Sequence, residues 1–111
     1  MISDDTVKQV IKFRDDREWK KFHNPKDLAI SLSLEASELL EIFQWSGSDT
    51  SSDGKLEKIK EELADVLNYS ILLADACNLD MDEIIRNKLV VNDKKYPVDK
   101  AKGKSDKYDK L

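Results

Sequence analysis

An all-α bundle completed by a second copy of the same chain is the fold this sequence predicts, and three observations predict it. Apolar residues recur at helical spacing over four long stretches. Only three Gly and two Pro occur in 111 residues, too few turn-formers for an all-β chain. Two of the helical stretches are apolar on more than one side, and such helices are buried on more than one side.

Each element has its own signals. The first helix opens with Ser3 as N-cap, carries Val7, Val10 and Ile11 on one stripe, and runs to about Phe22. Asn24-Pro25 reads as cap plus first residue of a second helix, which extends to about Trp45. The polar run Ser46 to Gly54 is a loop. A third helix spans about Lys55 to Cys77 and stops at Asn78. Asp80 and Glu83 have capping-box spacing and open a fourth helix, reaching about Asn92. Residues 1–97 therefore make one helical domain. Residues 98–111, rich in Lys and Asp without an apolar period, make a tail that is disordered or ordered only by docking.

In the second helix Leu28, Leu32, Leu39, Ile42 and Phe43 share a face, while Ile30 and Leu34 point elsewhere. In the third, Leu56, Ile59, Leu63, Val66, Leu67 and Leu73 share a face, with Ile71 and Leu72 outside it. Four helices of this length cannot cover both sets alone, so at least a homodimer is expected.

Composition narrows function. With 23 acidic and 19 basic residues the net charge is −4, which excludes the basic field that binds nucleic acid polymers. An acidic protein that handles phosphates needs a metal cation between the like charges. Cys77 is the only cysteine, so no internal disulfide forms and a reducing compartment is expected. With no long hydrophobic run at the start of the chain and no membrane span, a cytoplasmic location is expected.

The informative feature is where certain acids fall. At about 100° per residue, Glu35 lies within the apolar stripe of the second helix, with Glu38 on its flank one turn later. Glu62 lies at the edge of the apolar face of the third helix, and Asp65 one turn further on. A carboxylate on a core-facing stripe is costly unless paired or bound to a metal. Oxygen donors without a His or Cys cluster favour Mg²⁺, or Mn²⁺, over zinc. A plainer reading stands beside this one. A chain that is 38% charged carries many E-x-x-E pairs on its surface, and Glu41, Glu57, Glu61 and Asp82 are of that kind. On that reading the protein is a non-catalytic helical interaction module that binds no Mg²⁺.

The run Leu34-Glu-Ala-Ser-Glu-Leu-Leu-Glu-Ile-Phe-Gln-Trp45, followed by Glu61-Glu-Leu-Ala-Asp-Val66, resembles the E-x-x-E plus E-x-x-D signature of the MazG-like nucleotide pyrophosphohydrolases, and within them the dCTP-pyrophosphatase-like branch. Phe13-Arg-Asp-Asp-Arg-Glu-Trp19, Phe22-His-Asn-Pro25 and the segment from Lys88 to Pro97 support it. The resemblance implies a four-helix MazG-like bundle completed by homodimerisation, in some members a dimer of dimers. It implies Mg²⁺-dependent cleavage of a nucleoside triphosphate, in first place dCTP or a modified pyrimidine dNTP, to the monophosphate and pyrophosphate, as nucleotide-pool house-cleaning. The same chemistry on a purine or damaged dNTP is the alternative. Matched residue by residue, Glu35, Glu38, Glu62 and Asp65 are metal ligands, with Glu38 doubling as the base toward water. Lys88 and Asn92 contact the triphosphate, and Lys95 closes over it. Trp19 and Trp45 enclose the base, with Tyr69 and His23 reaching base or sugar.

Overall fold

The computed structural model of the protein describes residues 2–111; Met1 lies outside the described residues. Those residues are helical with no strand among them. They form two compact units, one ending at Asn78 and the other spanning Leu79–Leu111. No helix among the described residues is long and apolar enough to cross a membrane.

The first unit holds α1 (Asp4–Asp16), a 3₁₀ turn (Trp19–Phe22), α2 (Pro25–Glu41) and α3 (Leu56–Ala76). Caps set the starts. The Ser3 hydroxyl accepts from the Thr6 amide at 3.1 Å, and Asn24 Oδ1 from the Asp27 amide at 2.8 Å, ahead of Pro25 at the first helical position. The first predicted helix does not run through to Phe22. Glu18 takes a left-handed φ of 55°, which breaks the i→i−4 ladder after Asp16 and swings Trp19 and His23 into a separate turn. The second helix is also shorter than expected. From Ile42 the chain tightens, with the Phe43 and Gln44 amides reaching back only three residues, so Trp45 sits in a turn. At the end of α3, Asn78 adopts the left-handed conformation that terminates helices.

α2 and α3 pack as an antiparallel hairpin, and α1 crosses α3 near its C-terminal end. The buried apolar side chains among the described residues are Leu28, Ile71, Leu72 and Ala74, all at that end, joined by the 3%-exposed Arg14. Of the two apolar sides expected of α3, a single chain buries mainly the one outside the main stripe. Ile71 and Leu72 are inside, while Leu56, Leu63 and Leu67 are 53%, 44% and 41% exposed. Within the first unit, α1 packs on the end of the hairpin that carries these buried side chains.

In the second unit, Asp80 caps α4 (Met81–Lys95), which runs three residues beyond the expected end. The tail then forms α5 (Val98–Ala101) and a 3₁₀ turn (Tyr108–Lys110). Tyr108 meets Tyr96 edge-on with ring centroids 6.1 Å apart, and Lys95 Nζ lies 5.0 Å from the centre of the Tyr108 ring.

Candidate active site

The hairpin brings two pairs of acids to one place. Carboxylate oxygens of Glu35, Glu62 and Asp65 lie within 4.8 Å of one another. Glu35 and Glu62 are half-buried and Asp65 is exposed. The Oε2 atoms of Glu35 and Glu62 are buried and accept no hydrogen bond. An unpartnered buried acceptor costs about 1–3 kcal/mol, more when charged. Glu38 stands outside this trio but against Glu62. Its contact raises the Glu62 carboxyl above its ordinary range, aided by burial and by the charges of Glu38 and Asp65 and opposed by Lys58.

Three converging carboxylates with two orphaned oxygens fit a hard divalent cation such as Mg²⁺, which takes oxygen donors. Among the described residues, no Lys or Arg pairs with any of the four acids at salt-bridge distance. The two orphaned oxygens therefore still need the partner that the sequence pattern called for.

A cavity of about 460 Å³ opens beside the trio. Glu35 and Asp65 form its polar edge, and its walls are Thr6, Gln9, Val10, Phe13 and Arg14 from α1, Trp19 and His23, and Asn68, Tyr69 and Leu72 from α3. Trp19 packs edge-on to Phe13 at 5.8 Å, and the Arg17 guanidinium caps the other part of that aromatic cluster, 3.6 Å from the centre of the Phe13 ring. The left-handed turn at Glu18 is what places Trp19 here. His23 Nδ1 is buried without a partner; burial, and then the nearby Arg14 charge, lower its pKa, so the imidazole is neutral at pH 7.

Of the residues the sequence singled out, Glu35, Asp65, Trp19, Tyr69 and His23 share this cavity. Glu62 joins Glu35 and Asp65 at the cluster, while Glu38 and Glu62 line a second groove of about 550 Å³. Trp45 does not reach the cavity; its side chain is 89% exposed. Lys88, Asn92 and Lys95 all lie on α4 of the second unit at i, i+4 and i+7, with Asn92 half-buried and Lys95 turned to Tyr108.

Sequence reasoning missed Arg14. Its guanidinium is buried on the cavity wall, with Nη1 2.6 Å from Asp75 Oδ2 and Nε 2.9 Å from Asp15 Oδ1. Burial works against its charge, but the two carboxylates outweigh that and raise its pKa. The signal was present, because Arg14 follows Val10 by four residues and Ile11 by three on the apolar stripe of α1.

Known proteins share this arrangement of chain. Residues 30–111 match the MazG-like family. Human dCTP pyrophosphatase 1 is 35% identical over 105 residues, covering 90% of this chain and 62% of that protein. The mouse dCTP pyrophosphatase 1 is 36% identical over 106 residues with the same shares. The chain thus spans 62% of the length of the curated relatives it matches. Among solved structures, a pyrophosphatase from Archaeoglobus fulgidus DSM 4304 superposes with a TM-score of 0.72 at 41% identity, covering 84% of this chain and 90% of that one. Glu35, Glu62 and Asp65, which converge on the hairpin, and Glu38 beside them all lie inside the matched span, and the chain belongs to the MazG-like family.

Proposed function

We propose that the chain hydrolyses a nucleoside triphosphate to its monophosphate and pyrophosphate with Mg²⁺, and that a pyrimidine dNTP such as dCTP is the preferred substrate. The observation that carries this is the meeting of Glu35, Glu62 and Asp65, two of them with orphaned oxygens, at the polar edge of an aromatic-walled cavity. The pyrophosphatase and dCTP pyrophosphatase relatives support the reaction class and the base.

Glu35, Glu62 and Asp65 would hold the cation, with Glu38 beside Glu62 completing the acidic set. A divalent cation held by these carboxylates would offset the triphosphate charge and make phosphorus more electrophilic. Glu38, more exposed than Glu35 and Glu62, orients the attacking water and accepts its proton. Trp19 offers a stacking surface for the base, worth on the order of 1–3 kcal/mol. The neutral His23 supplies a hydrogen-bonding edge toward the base, and Tyr69 does so toward the sugar. Lys88, Asn92 and Lys95 on α4 serve the triphosphate, as the family resemblance implies.

The working form is a homodimer or a pair of dimers. Leu34 and Leu40 on α2 are 59% and 70% exposed, Leu63 and Leu67 of α3 are 44% and 41% exposed, and Trp45 is exposed after α2. A second copy is the cover this reading assigns to those side chains, and it is the route by which Trp45 would join a site. Light scattering on the full chain should give at least twice the 12.8 kDa protomer mass. A monomer at micromolar concentration sinks the dimer.

A panel of nucleotides with pyrophosphate detection, run with and without Mg²⁺, tests the activity. Release from dCTP above purine dNTPs, and only with metal, is expected. No release from any nucleotide ends the hydrolase reading. Glu38→Gln should stay folded and lose about 10²–10⁴-fold in kcat, the usual contribution of a positioned base. Wild-type turnover in that variant removes Glu38 from the reaction.

A further inference from the structure

The acidic cluster is open on two sides. Glu35 and Asp65 edge the aromatic cavity, whereas Glu62 and Glu38 edge the second groove, which lies between the end of α2 and the start of α3. That groove also contains two cations, Lys55 and Lys58. A nucleoside triphosphate has one aromatic end and one polyanionic end. An aromatic cavity, an acidic cluster and a lysine-bearing groove in that order match its three parts.

The two lysines are not equivalent. Lys55 Nζ is already bound, 2.9 Å from Asp49 Oδ2 and 3.5 Å from the Asp53 carbonyl, and its side chain is only 18% exposed. That pairing draws the Asp49 carboxyl below its ordinary range, as expected of a settled ion pair. Lys58 has only a loose partner, Glu61 Oε2 at 3.7 Å, with both side chains about 70% exposed. Such a surface pair contributes little and exchanges readily for a phosphate. Lys58 also precedes Glu62 by one helical turn, so its ammonium rises from the same face of α3 as the cluster.

We propose that the groove beside Glu38 and Glu62 receives the pyrophosphate half of the substrate, and that Lys58 binds its terminal phosphates. This rests on the hydrolase reading above and adds to it a residue outside the family motif blocks. The nearest rival role for Lys58 is to lessen the repulsion among the acids. A lysine with that role would affect every ligand alike.

The test is calorimetry on the full chain with Mg²⁺, titrating imidodiphosphate and dCMP separately. Lys58→Ala should weaken imidodiphosphate about five- to tenfold, the loss of one charge-assisted contact at an exposed site, and move dCMP by less than about twofold. Lys58→Arg should restore imidodiphosphate binding. Lys60→Ala, whose lysine pairs with Glu57 at 3.1 Å and lines neither cavity, should leave both unchanged. Unaltered imidodiphosphate binding in Lys58→Ala, or an equal loss of both ligands, overturns the assignment. If wild-type protein turns over nucleotides and Lys58→Ala binds imidodiphosphate as wild type does, only this inference fails. If wild-type protein releases no pyrophosphate from any nucleotide, the hydrolase reading fails and takes this inference with it.

Discussion

Glu62→Gln should severely slow hydrolysis and, in the same step, make the metal-free protein more stable. Oxygens of Glu35, Glu62 and Asp65 crowd within 4.8 Å, and Glu38 adds a fourth carboxylate beside Glu62. Without a cation these like charges repel, and the buried Oε2 of Glu62 has nothing to accept from. A neutral amide of the same shape removes one charge and brings a donor to the cluster. Melting in EDTA should therefore shift upward. Hydrolysis should fall by about 10²–10³-fold, since a lost metal ligand removes several kcal/mol of charge stabilisation at 1.36 kcal/mol per tenfold. Wild-type protein should also gain thermal stability from added Mg²⁺ by mass action, and the variant should lose most of that gain. A variant that melts lower in EDTA yet keeps the Mg²⁺-induced shift would show that the cluster is not a cation site.

The same crowding sets a pH dependence. The Glu62 carboxyl titrates above its ordinary 4.5 in the folded chain, chiefly through Glu38 and then through burial. Between that ordinary value and the raised one, the folded chain holds a proton the unfolded chain has released. Stability of the metal-free protein accordingly falls as pH rises through that window, and Mg²⁺ affinity rises over it. Glu62→Gln should flatten the stability slope there.

Much of this was legible in the sequence because it depended on local chemistry. Ser3, Asn24 and Asp80 each accept the amide three residues on, as capping residues do, and Pro25 follows its cap. Glu35 was marked by helical period, since an acid on an apolar stripe needs a partner, and Glu38, Glu62 and Asp65 by their place on the flank or edge of such stripes at i, i+3 spacing. What escaped the sequence was tertiary. Nothing at Glu18 signals a left-handed residue, as a Gly would, so the break that turns Trp19 toward the cavity was invisible. Period gives the direction of a side chain and not what covers it. Leu63 and Ile71 are both apolar, yet only the end of α3 that α1 crosses is buried. Arg14 obeyed the same rule as the acids and went unremarked because a cation there calls for a partner on another helix, which in the fold is Asp75.

That partnership predicts the largest effect on stability. Asp75→Ala should destabilise the protein by about 2–3 kcal/mol, because it leaves the Arg14 guanidinium buried with only its neighbour Asp15. The figure sits below the 3–5 kcal/mol range for fully buried pairs because the Asp75 side chain is 34% exposed and water shares its charge. On a chain of 111 residues this corresponds to a fall in Tm of about 10 °C or more. The pair should be asymmetric. Arg14→Met removes the buried charge and leaves behind a carboxylate that water can reach, so it should cost less than Asp75→Ala. Arg14→Met combined with Asp75→Leu should recover most of the stability, as apolar replacement of buried pairs often does. The ranking follows from which partner is buried, with Arg14 at 4% side-chain exposure against 34% for Asp75. Thermal melts in which Arg14→Met proves the costlier single change would show that the guanidinium is held by its packing and not by its charge partner.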